Sequence, residues 1–211
     1  MKVQLPKLEE ERKIWSFGYD FVIGVDEVGR GPLAGPVVAG ACMFKKIKDE
    51  KMEYLLSLGI NDSKKLTPKK RESIFEELTR SDILSYGIGI VDEKIVDNIN
   101  ILQASLLAMK IAIENLKIKD EKSVFVLIDG RELIPEVNLN QRAIIGGDAK
   151  VLAIAAASII AKVARDRIMD DYDKKYPEYG FKKHKGYGTK FHFEMIKKYG
   201  HCDIHRKSFL H

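Results

Sequence analysis

The chain has 211 residues, 45% hydrophobic and 32% charged. That length and mix fit one globular domain with room for a small appendage, and exclude collagen-like, low-complexity and disordered classes. No run approaches the roughly 18 uncharged apolar residues of a membrane helix. Glu9, Glu10, Glu11, Arg12 and Lys13 stand where the apolar core of a signal peptide would begin. A cytoplasmic protein is therefore expected. Cys42 and Cys202 give neither a metal-ligand spacing nor a disulfide framework. The net charge of +5 is unevenly placed: residues 174–211 carry ten Lys/Arg against three Asp/Glu, and all five histidines lie there. Such a basic C-terminal quarter is either a docking surface for a polyanion or a solvated helix face.

In chain order, residues 1–19 read as a helical lead-in. Residues 21–26 (FVIGVD) are a buried β-branched run, hence a strand, and residues 35–44 a second strand after a turn. Thr67 and Pro68 are the N-cap and first position of a helix reaching Arg80. Residues 83–91 form a third strand, 101–116 a long helix, 123–129 a fourth strand and 143–145 a short fifth. A second long helix covers 151–174, limited by Pro177, and another lies near 189–199. Strands alternating with helices predict an α/β or mixed layered fold.

Acidic residues collect at strand ends. Asp26 and Glu27 close the first strand, Asp129 closes the fourth, and Asp148 follows Gly146-Gly147 ahead of the long helix. One such Asp alone reads as well as a turn former or helix cap. Adjacent acids after a buried run are costly unless compensated. The compensator for three or four carboxylates is a hard divalent cation, Mg²⁺ or Mn²⁺. No His/Cys set in the body of the chain suits zinc. Carboxylates, such an ion and a basic surface point to phosphoryl transfer on nucleic acid. Residues 29–34 (GRGPLA) formally fit a dinucleotide fingerprint, but Pro32 and Gly35-Pro36 stop the helix it must open. The alternatives are a loop whose main chain approaches a nucleotide sugar, or a plain tight turn.

Residues 22–41 (VIGVDEVGRGPLAGPVVAGA) closely resemble the opening block of ribonuclease HII. So, in the family's order, do 61–66 (NDSKKL), 127–130 (LIDG), 146–148 (GGD), 156–166 (AASIIAKVARD) and 184–189 (HKGYGT). The resemblance implies a ribonuclease H-like mixed β-sheet flanked by helices, with a helical C-terminal extension. The divisions are 1–19, a catalytic core at 20–175 and a basic extension at 176–211 packed on it. It implies that Asp26, Glu27, Asp129 and Asp148 hold Mn²⁺ or Mg²⁺. It assigns Gly29, Arg30 and Gly31 to the 2′-hydroxyl of a ribonucleotide and Tyr187 to the nucleotide that follows. The implied reaction is hydrolysis on the 5′ side of a ribonucleotide, in an RNA–DNA hybrid or in duplex DNA, with 3′-hydroxyl and 5′-phosphate ends, by a monomer.

Ser158, Lys162 and Arg165 fall at i, i+4 and i+7 of the second long helix, so they share a face. They are expected to hold the nucleic-acid backbone, the alternative being a solvent stripe with a Lys162–Asp166 pair. Lys64 and Lys65 are further phosphate candidates, and the tail histidines read as phosphate contacts or surface residues. Two rivals remain. Ribonuclease HIII usually carries an N-terminal substrate-binding domain and a lysine where this chain has Arg30. A catalytically silent nucleic-acid-binding module is the other. A nicotinamide-linked oxidoreductase is a third and weaker alternative.

Overall fold

The computed structural model describes residues 6–46 and 49–210. Residues 1–5 of the expected lead-in and His211 of the basic tail lie outside them. Five strands, β1 (Phe21–Val28), β2 (Val37–Lys45), β3 (Leu84–Val91), β4 (Val124–Asp129) and β5 (Asn140–Ile144), form one sheet in the order β3-β2-β1-β4-β5. β1–β2 and β2–β3 are antiparallel, while β1–β4 and β4–β5 are parallel. The helices are α1 (Glu9–Ser16), α2 (Asp49–Ser57), α3 (Pro68–Arg80), α4 (Glu93–Glu114), α5 (Leu152–Lys175), α6 (Phe181–His184) and α7 (Lys190–Tyr199). This is the expected mixed sheet flanked by helices.

Strand periodicity of two sorts the core into two faces. Val22 faces α1, α3 and α5, whereas Ile23 and Val25 face α4. Continuing that alternation puts Asp26 on the α5 side and Glu27 on the α4 side. α5 is buried nearly all round between Leu152 and Ala161 and is rich in alanine. Small residues let it lie directly on the sheet. A Cβ on Gly24 would stand 2.0 Å from the Ala153 carbonyl carbon, and one on Gly40 would stand 2.4 Å from the Ala157 carbonyl oxygen. Gly24→Ala drives backbone against backbone, and a loss of about 3 kcal/mol is expected, at the upper end for overpacking. Thermal denaturation checks it.

Several boundaries differ from the expected ones. β1 runs on to Val28, and β2 starts only at Val37, because Gly35 (φ +83) still belongs to the turn. α2 is not among the expected elements; four of its nine residues are charged, and Leu55 anchors it in the core. α4 begins earlier than 101, capped by Asp92, whose side chain accepts from Ile95 N at 2.9 Å. It breaks at Asn100 (φ 66), whose side chain accepts from Leu102 N and Gln103 N and restarts the helix. That second part matches the expected 101–116 helix. α4 is the one described helix long and apolar enough to cross a membrane by composition, but Ala104, Ala108, Met109 and Ala112 bury it against the sheet.

Candidate active site

Parallel pairing sets Val25 beside Ile128, so β1 and β4 deliver Asp26 and Asp129 side by side. Asp148 arrives from the short turn Gly147–Ala149 ahead of α5. Gly146 in the left-handed region (φ +64) allows that turn, and Gly147 N donates to Asp129 Oδ1 at 2.7 Å. Carboxylate oxygens of Asp26, Asp129 and Asp148 lie within 4.8 Å of one another. Glu27 lies outside that trio and takes a salt bridge from Arg30 Nη1 at 3.1 Å.

Burial, then the charges of Glu27, Asp129 and Asp148, hold the Asp26 carboxyl well above the usual range, against a hydrogen bond from Ser158. Glu27 is raised by burial, with Arg30 opposing, and Asp148 by burial and Asp129. Burial disfavours the ammonium of Lys64, yet the charges of Asp26, Asp148 and Asp62 outweigh it and raise its pKa. The cluster thus has an excess of negative charge and draws cations to itself. Its donors are all oxygen, which suits a hard divalent ion.

The glycine turn after β1 is held from behind by two sealed arginines. Arg206 donates to the carbonyls of Gly29 (2.7 Å), Arg30 (3.2 Å), Pro32 (2.9 Å) and, from two nitrogens, Gly35 (2.9 and 2.7 Å). Arg165 donates to Ala34 (3.2 Å), Pro36 (3.0 Å) and Lys185 (2.9 Å). The tail also pairs with the turn through its main chain: Leu33 N to Gly186 O, Gly35 N to Ile204 O and Arg206 N to Leu33 O, each 2.8 Å. Gly29 sits at φ +98, and a Cβ there would lie 2.4 Å from Arg165 Nε. Gly31 is exposed, and a Cβ on it would meet the Tyr187 ring at 3.7 Å. Tyr187 is 42% exposed.

The expected backbone-holding stripe on α5 divides. Ser158 stays beside Asp26, bonded to Ser63 Oγ at 2.9 Å. Lys162 is paired with Asp166, which Arg71 also approaches at 3.5 Å, so the alternative pair forms. Arg165 is fully buried and spends its nitrogens on carbonyls, so it holds the turn and does not face a ligand. The three do share the long helix, but α5 is covered on most sides, and its stripe runs under the site.

A family model described as "Ribonuclease HII" matches residues 23–211. The chain belongs to the ribonuclease HII family. A ribonuclease HII of Caldicellulosiruptor bescii is 54% identical over 96% of this chain and 92% of its own length. One from Clostridioides difficile is 52% identical over 95% and 74%. The crystal structure of ribonuclease H2 from Pyrococcus horikoshii is similar with TM-score 0.69 at 33% identity, over 89% of this chain and 93% of that one. "Bst-RNase HIII in complex with Mn2+" is similar with TM-score 0.64, covering 89% of this chain and 65% of that one; at 18% identity it speaks for the fold. The chain is therefore a ribonuclease H, a nuclease acting on nucleic acid, in a family dependent on a divalent metal.

Four groups that hold or charge the segments of this candidate site are not singled out by the sequence pattern. Arg206 follows the turn by some 170 positions, and no local pattern links them. Arg71 donates to Ser63 O (2.9 Å) and Leu66 O (3.0 Å), fixing the segment that carries Lys64. Glu11 caps α5 from α1, accepting from Ala153 N at 2.8 Å, because Val151 offers no side-chain cap. Burial pushes the Glu11 carboxyl up to about 7. Asp62 contributes to the negative field on Asp148; its place in the NDSKKL block was the available signal.

Proposed function

We propose that the enzyme hydrolyses the phosphodiester on the 5′ side of a ribonucleotide, in an RNA–DNA hybrid or embedded in duplex DNA, leaving 3′-hydroxyl and 5′-phosphate ends. The observation that carries this reading is the trio Asp26, Asp129 and Asp148 next to a glycine turn flanked by the Tyr187 ring. Those three, with Glu27 beside them, would hold Mn²⁺ or Mg²⁺. A divalent ion there supplies activation of water and stabilisation of the leaving oxygen.

The remaining roles fall to the chain itself. Carbonyls of Gly29 and Arg30 are tied inward by Arg206, which leaves main-chain amides of the turn as donors toward a 2′-hydroxyl, the group that separates RNA from DNA. Arg30, half exposed, presents a fork to a phosphate. The Tyr187 ring packs on the sugar that follows, where a further hydroxyl would crowd it. Lys64, charged and close to both the cluster and Tyr187, meets the phosphate between them. In this reading the enzyme works as a cytoplasmic monomer, removing ribonucleotides from DNA and clearing hybrids.

The test is a cleavage map of a duplex with one ribonucleotide. One break on its 5′ side is expected with Mg²⁺ or Mn²⁺, little with Ca²⁺, whose coordination is larger and looser, and none in all-DNA duplex. Tight binding without cleavage in every metal would leave a silent binding module. Cleavage of long hybrids alone would favour the ribonuclease HIII-like alternative.

For docking, Lys182 and Lys183 are exposed, while Lys185 pairs with Asp170 and drops out of the basic patch. Replacing Lys182 and Lys183 by Gln is expected to weaken DNA and hybrid duplexes alike and to flatten the slope of log K against log salt by about 1.8. Fluorescence anisotropy across a salt series reads the slope.

A further inference from the structure

The tail histidines do not all face outward. His192 is 0% and His205 3% exposed, so neither touches a phosphate. His192 Nδ1 lies 2.9 Å from the Tyr187 carbonyl oxygen. A carbonyl only accepts, so Nδ1 carries the proton, and Nε2 of the neutral ring is an acceptor. His205 Nε2 lies 3.0 Å from that Nε2 and donates to it. His205 Nδ1 then accepts from Cys202 N at 3.0 Å and faces Cys202 Sγ at 3.1 Å, and in this tautomer its 3.3 Å approach to Cys202 O is no hydrogen bond. Every bond in this chain has one donor and one acceptor.

The surroundings favour uncharged rings. His184 stacks on His192 at 4.5 Å, with its own nitrogens engaged by Tyr179 O and Gly186 N. Phe181 stands edge-on to His192, and Tyr179 edge-on to His205. His201 is a further imidazole near His205, at 5.7 Å. Burial pushes both His192 and His205 down to about 4.

The segment they hold has little regular structure. Lys185 (φ 52) and Gly186 (φ 85) are both left-handed, and only then comes Tyr187. Its carbonyl takes a second donor, Thr189 N, at 2.8 Å. The residue after His205 is Arg206, which grips the glycine turn. Consecutive residues of the tail thus hold both the glycine turn and the Tyr187 ring that stands beside Gly31.

We propose that His192 and His205 are positioning residues for Tyr187. The relay from Cys202 N through His205 and His192 to the Tyr187 carbonyl fixes the ring against the glycine turn, and so sets how strictly a deoxyribose is required after the ribonucleotide. This rests on the sugar-packing role of Tyr187 given above.

The experiment compares kcat/KM for two duplexes, one with a single ribonucleotide followed by a deoxynucleotide, one with a ribonucleotide in that following place too. His192→Leu is expected to lower the ratio about tenfold, the scale of one buried hydrogen bond. His192→Asn, which can keep a donor near Nδ1, restores most of it. Tyr187→Ala lowers the ratio at least as far. A lowered ratio in Tyr187→Ala with an unchanged one in His192→Leu would overturn the positioning role alone. An unchanged ratio in Tyr187→Ala would overturn the reading of the tyrosine, and the relay's role with it. Nitrogen-15 spectra of the wild-type rings at pH 7 supply the second readout, should His192→Leu not fold. They are expected to show neutral His192 protonated at Nδ1 and neutral His205 at Nε2. The opposite tautomers, or charged rings, would refute the relay.

Discussion

Asp129→Asn is expected to reduce kcat by about 10³-fold or more while leaving duplex affinity within about threefold. A metal at such a centre stabilises transition-state charge by several kcal/mol, and each ~1.4 kcal/mol is a factor of ten in rate. The substitution is nearly isosteric. Its remaining amide oxygen can still accept from Gly147 N, as Asp129 Oδ1 does at 2.7 Å, so the Asp148 turn should keep its place. The residues expected to meet the nucleic acid, namely the glycine turn, Tyr187 and the tail lysines, are untouched. Stability should move the opposite way. Asp129 raises the carboxyls of Asp26 and Asp148 by repulsion, and removing one charge relieves that conflict. In chelator the variant should gain about 0.5–2 kcal/mol, a usual gain when a strained functional site is relaxed. Single-turnover cleavage, anisotropy and thermal melting read the three quantities. Near-wild-type turnover would remove Asp129 from the ligand set. Lost affinity would mean that it docks substrate.

Strand ends were legible because chemistry and pattern coincide there. The run FVIGVD names a buried strand and the carboxylate it carries, although β1 runs on to Val28, and LID names β4 together with its last residue. Thr67-Pro68 announced α3 as well, and the Thr67 side chain accepts from Lys70 N. Asn100 was not read as a helix break, because its side-chain oxygen serves amides two and three residues on and leaves the apolar spacing intact. Arg165 was placed on the correct helix but assigned the wrong surroundings. Periodicity gives a residue's angle around a helix, and α5 has few exposed angles, so charge was a poor guide to exposure. The approach of the Tyr187 ring to Gly31 joins residues far apart in sequence. Spacing alone carries no information about such closure, and the family resemblance assigns the two only to neighbouring nucleotides. The histidines illustrate the same gap: their clustering in a basic tail suggests phosphate contacts or surface residues, whereas aromatic packing around Phe181 and Tyr179 seals two of them.

Arg206→Met should cost about 3–4 kcal/mol, the upper range for single substitutions, and lower Tm by about 6–16 °C for a chain of this size. Methionine fills similar volume, so the loss measures the donors and not a cavity. The carbonyls of Gly29, Arg30, Pro32 and Gly35 lose a shared partner at once, and a buried acceptor left unpaired costs about 1–3 kcal/mol. The total stays below their sum because the turn can relax toward water. Burial, with Arg165 nearby, pulls the Arg206 pKa down to about 10, offset by Asp97 and Glu93; the guanidinium therefore remains charged at neutral pH. Lysine is not an equivalent: its compact ammonium cannot span four carbonyls as the planar fork does, so Arg206→Lys should recover less than half of the loss. Activity should fall more than folding requires. At a temperature where Arg206→Met is still folded, KM for a ribonucleotide-containing duplex should rise about tenfold, because the amides proposed to meet the sugar ride on the same turn. Arg71 and Arg165 hold their segments in the same way, through main-chain carbonyls. Fixing loops by buried forks leaves their outer side open, and it ties the C-terminal tail to the glycine turn despite its distance in sequence. Wild-type melting together with wild-type KM in Arg206→Met would show that the turn holds itself.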